Sequence, residues 1–290
     1  MGTTTNPSPA GRPGRNSLSM AAEQGGLAGL VEPSSPLVPI LSTAGRRFLR
    51  PLHVQVVGRP GAGRDTMARA LRERLALTVI GPGEDARAAA DADLWLLLLA
   101  GPPRRADHEL LRALPADRVV VVLGKADTHP DWDSAVEVAS RASTQLGLPV
   151  YAVSQLLACA DLDAAEFAAL AQFAAEQVEM PSMAGRFLVG APGSGERLLR
   201  QGLLRRIDAF GIDTAFRLLA EGSEAATDAA ALNRSLHAVS GVPQLTAAFA
   251  DHVGRVRFWR EVEIRAALER AAAAGHDRES AERLLAGGVG

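Results

Sequence analysis

A chain of 290 residues with 47% hydrophobic and 22% charged residues is long enough for two globular domains. Its net charge of −2 argues against a nucleic-acid binder, and a single cysteine, Cys159, excludes an intramolecular disulfide and a Cys-rich metal site. The six His residues are scattered, so no metal site is expected, and no apolar run approaches the roughly 20 residues that cross a bilayer. A reduced, cytoplasmic protein is the expectation.

Residues 1–50 are rich in Pro, Gly, Ser and Thr and lack a sustained apolar pattern, which predicts a mostly disordered tail with a short lead-in helix within Leu37 to Leu49. Leu52 to Val57 has the β-branched content of a strand. Gly58-Arg59-Pro60-Gly61-Ala62-Gly63 is a sharp turn, and Met67, Leu71 and Leu75 recur at helical spacing. Leu77 to Ile80 is a short strand closed by Gly81-Pro82-Gly83, with Ala-rich helical sequence after it. The run Leu94 to Ala100 suits a central strand buried on both faces. A helix over Asp107 to Leu114, a strand over Val119 to Leu123, a helix over Ser134 to Leu146, a strand over Pro149 to Val153 and a helix over Asp161 to Val178 follow. This alternation predicts an α/β domain over residues 51–180 with a parallel sheet. Residues 181–290 read as a separate helical domain broken at Gly211, Gly222, Gly241 and Gly275, with Phe187-Leu188-Val189 as its strand-like run.

The Gly58 to Thr66 stretch carries the first chemical signal. Strand, glycine turn and helix together make a phosphate cradle, because backbone N–H groups and the helix N-terminus converge on an anion. Gly58 and Gly63 have the P-loop spacing, with Gly61 between them. Arg64 stands at the P-loop lysine, and a forked guanidinium is not equivalent to a compact ammonium. Asp65 stands at the Mg²⁺-binding hydroxyl, and Thr66 comes one residue late. An ordinary Gly-rich turn is the competing reading. A dinucleotide fold is disfavoured, since Thr66 replaces its third glycine. Gly190 to Gly195 repeats the form of the glycine loop without its Lys or Ser/Thr and reads as a hinge. Arg255, Arg257, Arg260 and Arg265 surround Phe258 and Trp259. A solvated helix face over a Trp–Phe core contact is the favoured reading there, and contact with lipid headgroups or a partner the alternative.

Lys125 is the sole lysine of the chain and lies in Gly124-Lys125-Ala126-Asp127, directly after a strand, while Ser154 follows the last strand. Ligands of open α/β sheets sit outside the carboxyl ends of strands, so these residues and the glycine loop should share one edge. There the chain resembles P-loop GTPases of the Era-like and dynamin-like kind. Gly124 to Asp127 is similar to their Asn/Thr-Lys-x-Asp motif, and Ala152-Val153-Ser154 to their Ser-Ala motif. Ser240 to Leu245, with His252, resembles a stretch after the G domain of actinobacterial dynamin-like GTPases. The resemblance implies that Asp127 reads the guanine edge, Lys125 packs over the base and Ser154 fixes it. Gly124 replaces Asn or Thr and implies a less rigid loop. Residues 77–93 leave no room for switch I, and Ile80 stands where the Mg²⁺-binding Asp belongs. The resemblance therefore implies a shortened, degenerate G domain with GTP or GDP as its ligand, Mg²⁺ without its usual ligands, and no catalytic residue assigned. It implies action through a protein partner, such as an active GTPase relative, with a working GTPase or a nucleotide-free interaction protein as alternatives.

Overall fold

The computed structural model describes residues 17–83 and 92–287. The expectation of Ala-rich helix after Gly83 falls largely on residues 84–91 and lies outside them, as do the first 16 residues of the expected tail. The chain divides into two units, residues 52–252 and the pair of segments 1–51 and 253–290.

The larger unit is built on strands β1 (His53–Gly58), β2 (Thr78–Ile80), β3 (Leu94–Leu99), β4 (Val119–Leu123) and β5 (Val150–Ala152). They form one parallel sheet in the order β2-β1-β3-β4-β5. Every residue of β4 is buried, and in β3 only Trp95 is not, as a strand covered on both faces requires. Trp95 satisfies its indole N–H by donating to Gln55 Oε1 at 2.7 Å on the neighbouring strand. The pairings Gly58↔Leu98, Leu99↔Leu123 and Leu123↔Ala152 bring the carboxyl ends of four strands to one edge. Strand order reverses between β1 and β3, the place where such sheets open a ligand crevice.

Helices α3 (Arg64–Leu75), α4 (Arg105–Ala113) and α5 (Trp132–Leu146) follow β1, β3 and β4, and α6 (Gln155–Ala158) is a single turn after β5. Then come α7 (Ala164–Ala175), α8 (Gly195–Ala220), α9 (Ala229–Val239) and α10 (Leu245–Ala273), the last of which passes from one unit to the other. Leu157, Leu170, Phe187, Leu203, Ile207, Ile212 and Leu236 share a core within the larger unit. The Arg200 guanidinium lies 4.1 Å from the Phe173 ring centroid and 4.7 Å from that of Phe187. Its charge is met by Glu196 at 2.8 Å, which makes burial of the guanidinium tolerable.

Four expectations change. Ala184–Phe187 is a 3-10 turn and not a strand, and Phe187 enters the core. The break expected at Gly211 lies at Asp208, whose backbone is non-helical at φ 55°, ψ −177°; Gly211 stays within the helix, where its lack of a side chain allows close packing on Leu157 and Ile207. Residues 181–252 join the sheet-bearing unit rather than a separate domain. The remainder, 253–287, belongs with the segment expected to be a tail.

That smaller unit contains α1 (Ser17–Glu23), α2 (Val38–Leu49), most of α10, and α11 (Arg278–Ala286). Leu18, Leu27, Leu37, Leu41 and Phe48 pack with Ile264, Leu268 and Leu284. Their apolar burial outweighs the cost of ordering a Pro- and Gly-rich segment, so residues 17–50 are folded. Pro39 sits in the first turn of α2, where its missing N–H breaks no bond. The arginine stripe is not a Trp–Phe core contact beneath a solvated face: Arg260 is 7% exposed, while Phe258 is 63% exposed. Arg257 faces Glu23 at 3.9 Å and Arg265 faces Glu261 at 3.5 Å. Among the described residues no helix is long and apolar enough to cross a membrane.

Arg260 holds the end of α2. Its Nη1 donates to the carbonyls of Phe48 at 2.9 Å and Arg50 at 2.8 Å, and its Nη2 to that of Pro51 at 3.2 Å. A cation at a helix C-terminus also complements the dipole. Arg260→Ala should lower stability by about 2–4 kcal/mol, because three carbonyls lose a charged donor. Chemical denaturation measures it, and an unchanged midpoint would show that water replaces the guanidinium without cost.

Candidate nucleotide site at the carboxyl edge of the sheet

The glycine loop begins where β1 ends. Gly58 has φ 152° and lies so close to the Leu98 carbonyl that no Cβ would fit. Ala62 N–H donates to the Arg59 carbonyl at 3.2 Å to close the turn, and Gly61 and Gly63 take φ 80° and 88°. Gly63 then caps α3 in the left-handed region, which L side chains disfavour. The first-turn N–H groups of α3 lack intrahelical carbonyls and point out of its N-terminus, an arrangement that suits an anion. Arg64 is half-buried and Asp65 exposed beside them.

Arg59 has another task. Its Nε donates to Asp107 Oδ1 at 2.8 Å, and Asp107 is fully buried and also accepts from Arg104 N–H at 2.8 Å. The glycine loop is thereby tied to the start of α4 across the β1/β3 switch point. Sequence reasoning missed this pair, although an Arg inside the loop and an acid three residues into the helix after β3 were both visible.

The loop after β4 carries Gly124 to Asp127. Gly124 N–H donates to the Leu99 carbonyl at 2.8 Å and Ala126 N–H to that of Val153 at 3.1 Å, with Lys125 exposed at φ 59° between them. The expected looseness at Gly124 is not what the structure shows. Gln155, 3% exposed, fills the space a side chain at 124 would use: a Cβ there would lie 3.1 Å from both its Nε2 and its Oε1. Gln155 Nε2 donates to the Ala62 carbonyl at 3.1 Å, and its Oε1 accepts from Lys125 N–H at 2.8 Å. One buried amide bridges the two loops. Nothing in the sequence reading anticipated Gln155; the available signal was an amide next to Ser154.

Ser154 is fully buried. Its Oγ accepts from Leu157 N–H at 3.2 Å as the cap of α6, and its own N–H donates to the Ser240 carbonyl at 2.8 Å. Gly241, at φ 79°, lets this turn close on the Ala152 carbonyl and the Trp132 ring where any Cβ would collide. A segment of the helical region thus seals the end of β5. Asp127 is 7% exposed, and its Oδ1 is buried with no hydrogen-bond partner in the protein. Burial pushes its carboxyl above the ordinary 3.8, the Ser154 hydroxyl pulls it down, and the charge of Asp208 pushes it up again.

The positions at which Mg²⁺ is usually held are altered: Asp65 stands at that of the hydroxyl, Thr66 comes one residue late, and Ile80, buried at the end of β2, supplies no oxygen at the third. The Thr66 carbonyl accepts from Cys159 Sγ at 3.5 Å, and burial raises that thiol to about 11, so it is not a ready nucleophile. Among the described residues no group of three His, Cys, Asp or Glu side chains is placed to hold a metal ion. The nine residues expected at the site, Gly58, Gly61, Gly63, Arg64, Asp65, Thr66, Lys125, Asp127 and Ser154, all follow β1, β4 or β5 at the carboxyl edge. Gln155 bridges the glycine loop to the Lys125 loop, while Ser154 caps α6 and holds the Ser240 carbonyl, with its hydroxyl beside Asp127.

Gln155→Ala should cost about 1–3 kcal/mol by leaving the Ala62 carbonyl and Lys125 N–H unpaired; adding Gly124→Asn should recover part of it, and full additivity in the double-mutant cycle would refute the shared space. Asp127 gives a pH prediction. A folded-state value above 3.8 means that the folded chain holds the proton longer, so this group's contribution falls as pH rises from 3.8 through the raised value. The stability difference between Asp127→Asn and the parent should grow in the variant's favour over that window, and a flat difference between denaturation midpoints would contradict it. No protein-family model matches the chain and no curated protein is significantly similar to it, so the residues and their geometry carry the functional reading.

Proposed function

We propose that this chain is a degenerate P-loop GTPase-like protein that acts as a regulatory or scaffolding partner without turning over GTP. The observation that carries the reading is the Gln155 amide, which joins the glycine loop to the Gly124–Asp127 loop through the protein's own hydrogen bonds. A hydrolytic switch protein needs the γ-phosphate and its metal to order mobile segments, and phosphoryl transfer rests on positioning plus charge neutralisation. Here Arg64, Asp65 and Ile80 replace the lysine and the metal ligands, and the loops are held by a side chain. The unpartnered Asp127 oxygen supports retained preference for guanine, whose N–H edge supplies donors.

A second reading, an interaction protein that no longer binds nucleotide, is favoured by the Ser154 to Ser240 bond, which occupies the N–H of the residue assigned to fix the base. Thermal shift and calorimetry of the full chain with GTP, GDP and ATP, with and without Mg²⁺, separate the two. Guanine-selective stabilisation independent of Mg²⁺, without phosphate release above the buffer rate, is expected of the first. No shift with any nucleotide selects the second. ATP binding as tight as GTP removes the guanine assignment, and GTP hydrolysis abolished by Arg64→Ala overturns both.

A further inference from the structure

Within the smaller unit, α10 buries Val256, Arg260, Ile264, Leu268 and Ala271 on one side, at helical spacing. Its other side carries Arg255, Phe258, Val262, Ala266 and Glu269. Phe258 is 63% and Val262 46% exposed, and Arg255 and Glu269 are exposed as well. A single exposed apolar residue is ordinary; the order of these five is not. The steps between them are three, four, four and three residues, a spacing that reads the same from either end with Val262 at its centre. At about 3.6 residues per turn all five point within roughly 40° of the Val262 direction. Phe258 and Ala266 flank the centre, one large and one small, and Arg255 and Glu269 close the two ends with opposite charge. Among the described residues neither Arg255 nor Glu269 has an ion-pair partner, whereas the nearby Arg257 and Arg265 face Glu23 and Glu261.

We propose that this face of α10 packs on the same face of a second copy of the chain, as an antiparallel helix pair about a two-fold axis at Val262. A two-fold interface meets itself, so its surface must be self-complementary. Antiparallel pairing matches each residue before Val262 with the one equally far after it. The two Val262 side chains meet at the axis, each Phe258 ring lies against the small Ala266 of the other copy, and each Arg255 meets a Glu269. Charges beside an apolar seam set orientation in this way in coiled coils. A parallel pair would set Arg255 on Arg255 and Glu269 on Glu269, which like-charge repulsion opposes. The stretch is about 21 Å long at 1.5 Å per residue, so the dimer is reversible and at the small end of specific interfaces, below about 1,200 Å². A membrane surface fits less well, because helices that lie on lipid carry an excess of Lys and Arg, and this face holds one cation and one anion.

The test is sedimentation velocity of the full chain over a range of concentrations, without nucleotide, which keeps it independent of the reading of the sheet edge. A monomer–dimer equilibrium is expected. Phe258→Ser should weaken the dimer at least tenfold, and Val253→Ser, at an exposed apolar residue on the far side of the same helix, should leave it unchanged. Every substituted residue is exposed, and circular dichroism establishes that the variants fold. Arg255→Glu and Glu269→Arg should each weaken the dimer several-fold. The double variant should regain the parent's affinity, because both ion pairs re-form with their signs exchanged. A monomer at every concentration overturns the proposal, as does a dimer indifferent to Phe258→Ser. A double variant no tighter than either single variant overturns the antiparallel pairing and the proposal with it. A chain that stays monomeric but floats with phosphatidylglycerol vesicles, and loses this with Phe258→Ser, also overturns it and hands the face to lipid.

Discussion

The arrangement of the carboxyl edge depends on one primary amide. Gln155 gives its N–H to the glycine loop in a buried bond and its oxygen to the loop after β4 in a part-buried one. A buried hydrogen bond of this kind contributes modestly when made and costs more when one partner is removed. Its placement explains two glycines at once. A Cβ at Gly63 would collide with the Gln155 Nε2, and one at Gly124 would crowd both Leu98 and Gln155. The glycines therefore let two loops pack around one buried side chain.

The Arg59–Asp107 pair works in the same direction from the other side of the crevice. A guanidinium that is mostly covered and bonded to a fully buried carboxylate is anchored, because breaking it would strand the acid. The same acid caps α4 through the Arg104 N–H, so the glycine loop and the first turn of α4 move as one piece. Segments that in a switch protein would respond to ligand are here fastened by side chains on both flanks.

Much of the sheet was legible in the sequence. Val119 to Leu123 and the Leu94 run announced central strands because burial on both faces removes polar alternation, and glycine breakers marked their ends. The glycine loop was legible for the same local reason. Three features were not. The helices between residues 17 and 50 bury their apolar face against Ile264, Leu268 and Leu284, more than 200 positions away in the chain, and no local window contains that partner. The α8 kink falls at Asp208 rather than Gly211, and the glycine serves instead to pack closely on Leu157 and Ile207, segments no local window contains together. Gln155 looked like filler, since its role appears only when Ala62 and Lys125, in two loops far apart in the sequence, meet around it. Lys125 and Asp127 were singled out by their place after a strand and by resemblance to a base-reading motif, neither of which signals that Gln155 takes the Lys125 N–H.

The helical residues after β5 are not an appendage to the sheet. Ser240 accepts from Ser154 N–H, Gly241 abuts the end of β5, and Asn233 exchanges two 2.9 Å hydrogen bonds with the backbone of Leu162. Each contact satisfies a backbone group that a five-stranded sheet alone would leave facing solvent or a ligand. Once those groups are used internally, the edge that opens in a nucleotide-binding sheet is narrowed to what remains unpaired. Among the residues expected to read a base, the unpaired atom is Asp127 Oδ1. It sits within reach of the Asp208 charge, which raises its carboxyl further after burial has done so. A buried carboxylate oxygen without a donor at the end of β4 and a helix N-terminus that favours an anion at the end of β1 give the two ends of the same edge opposite electrostatic demands.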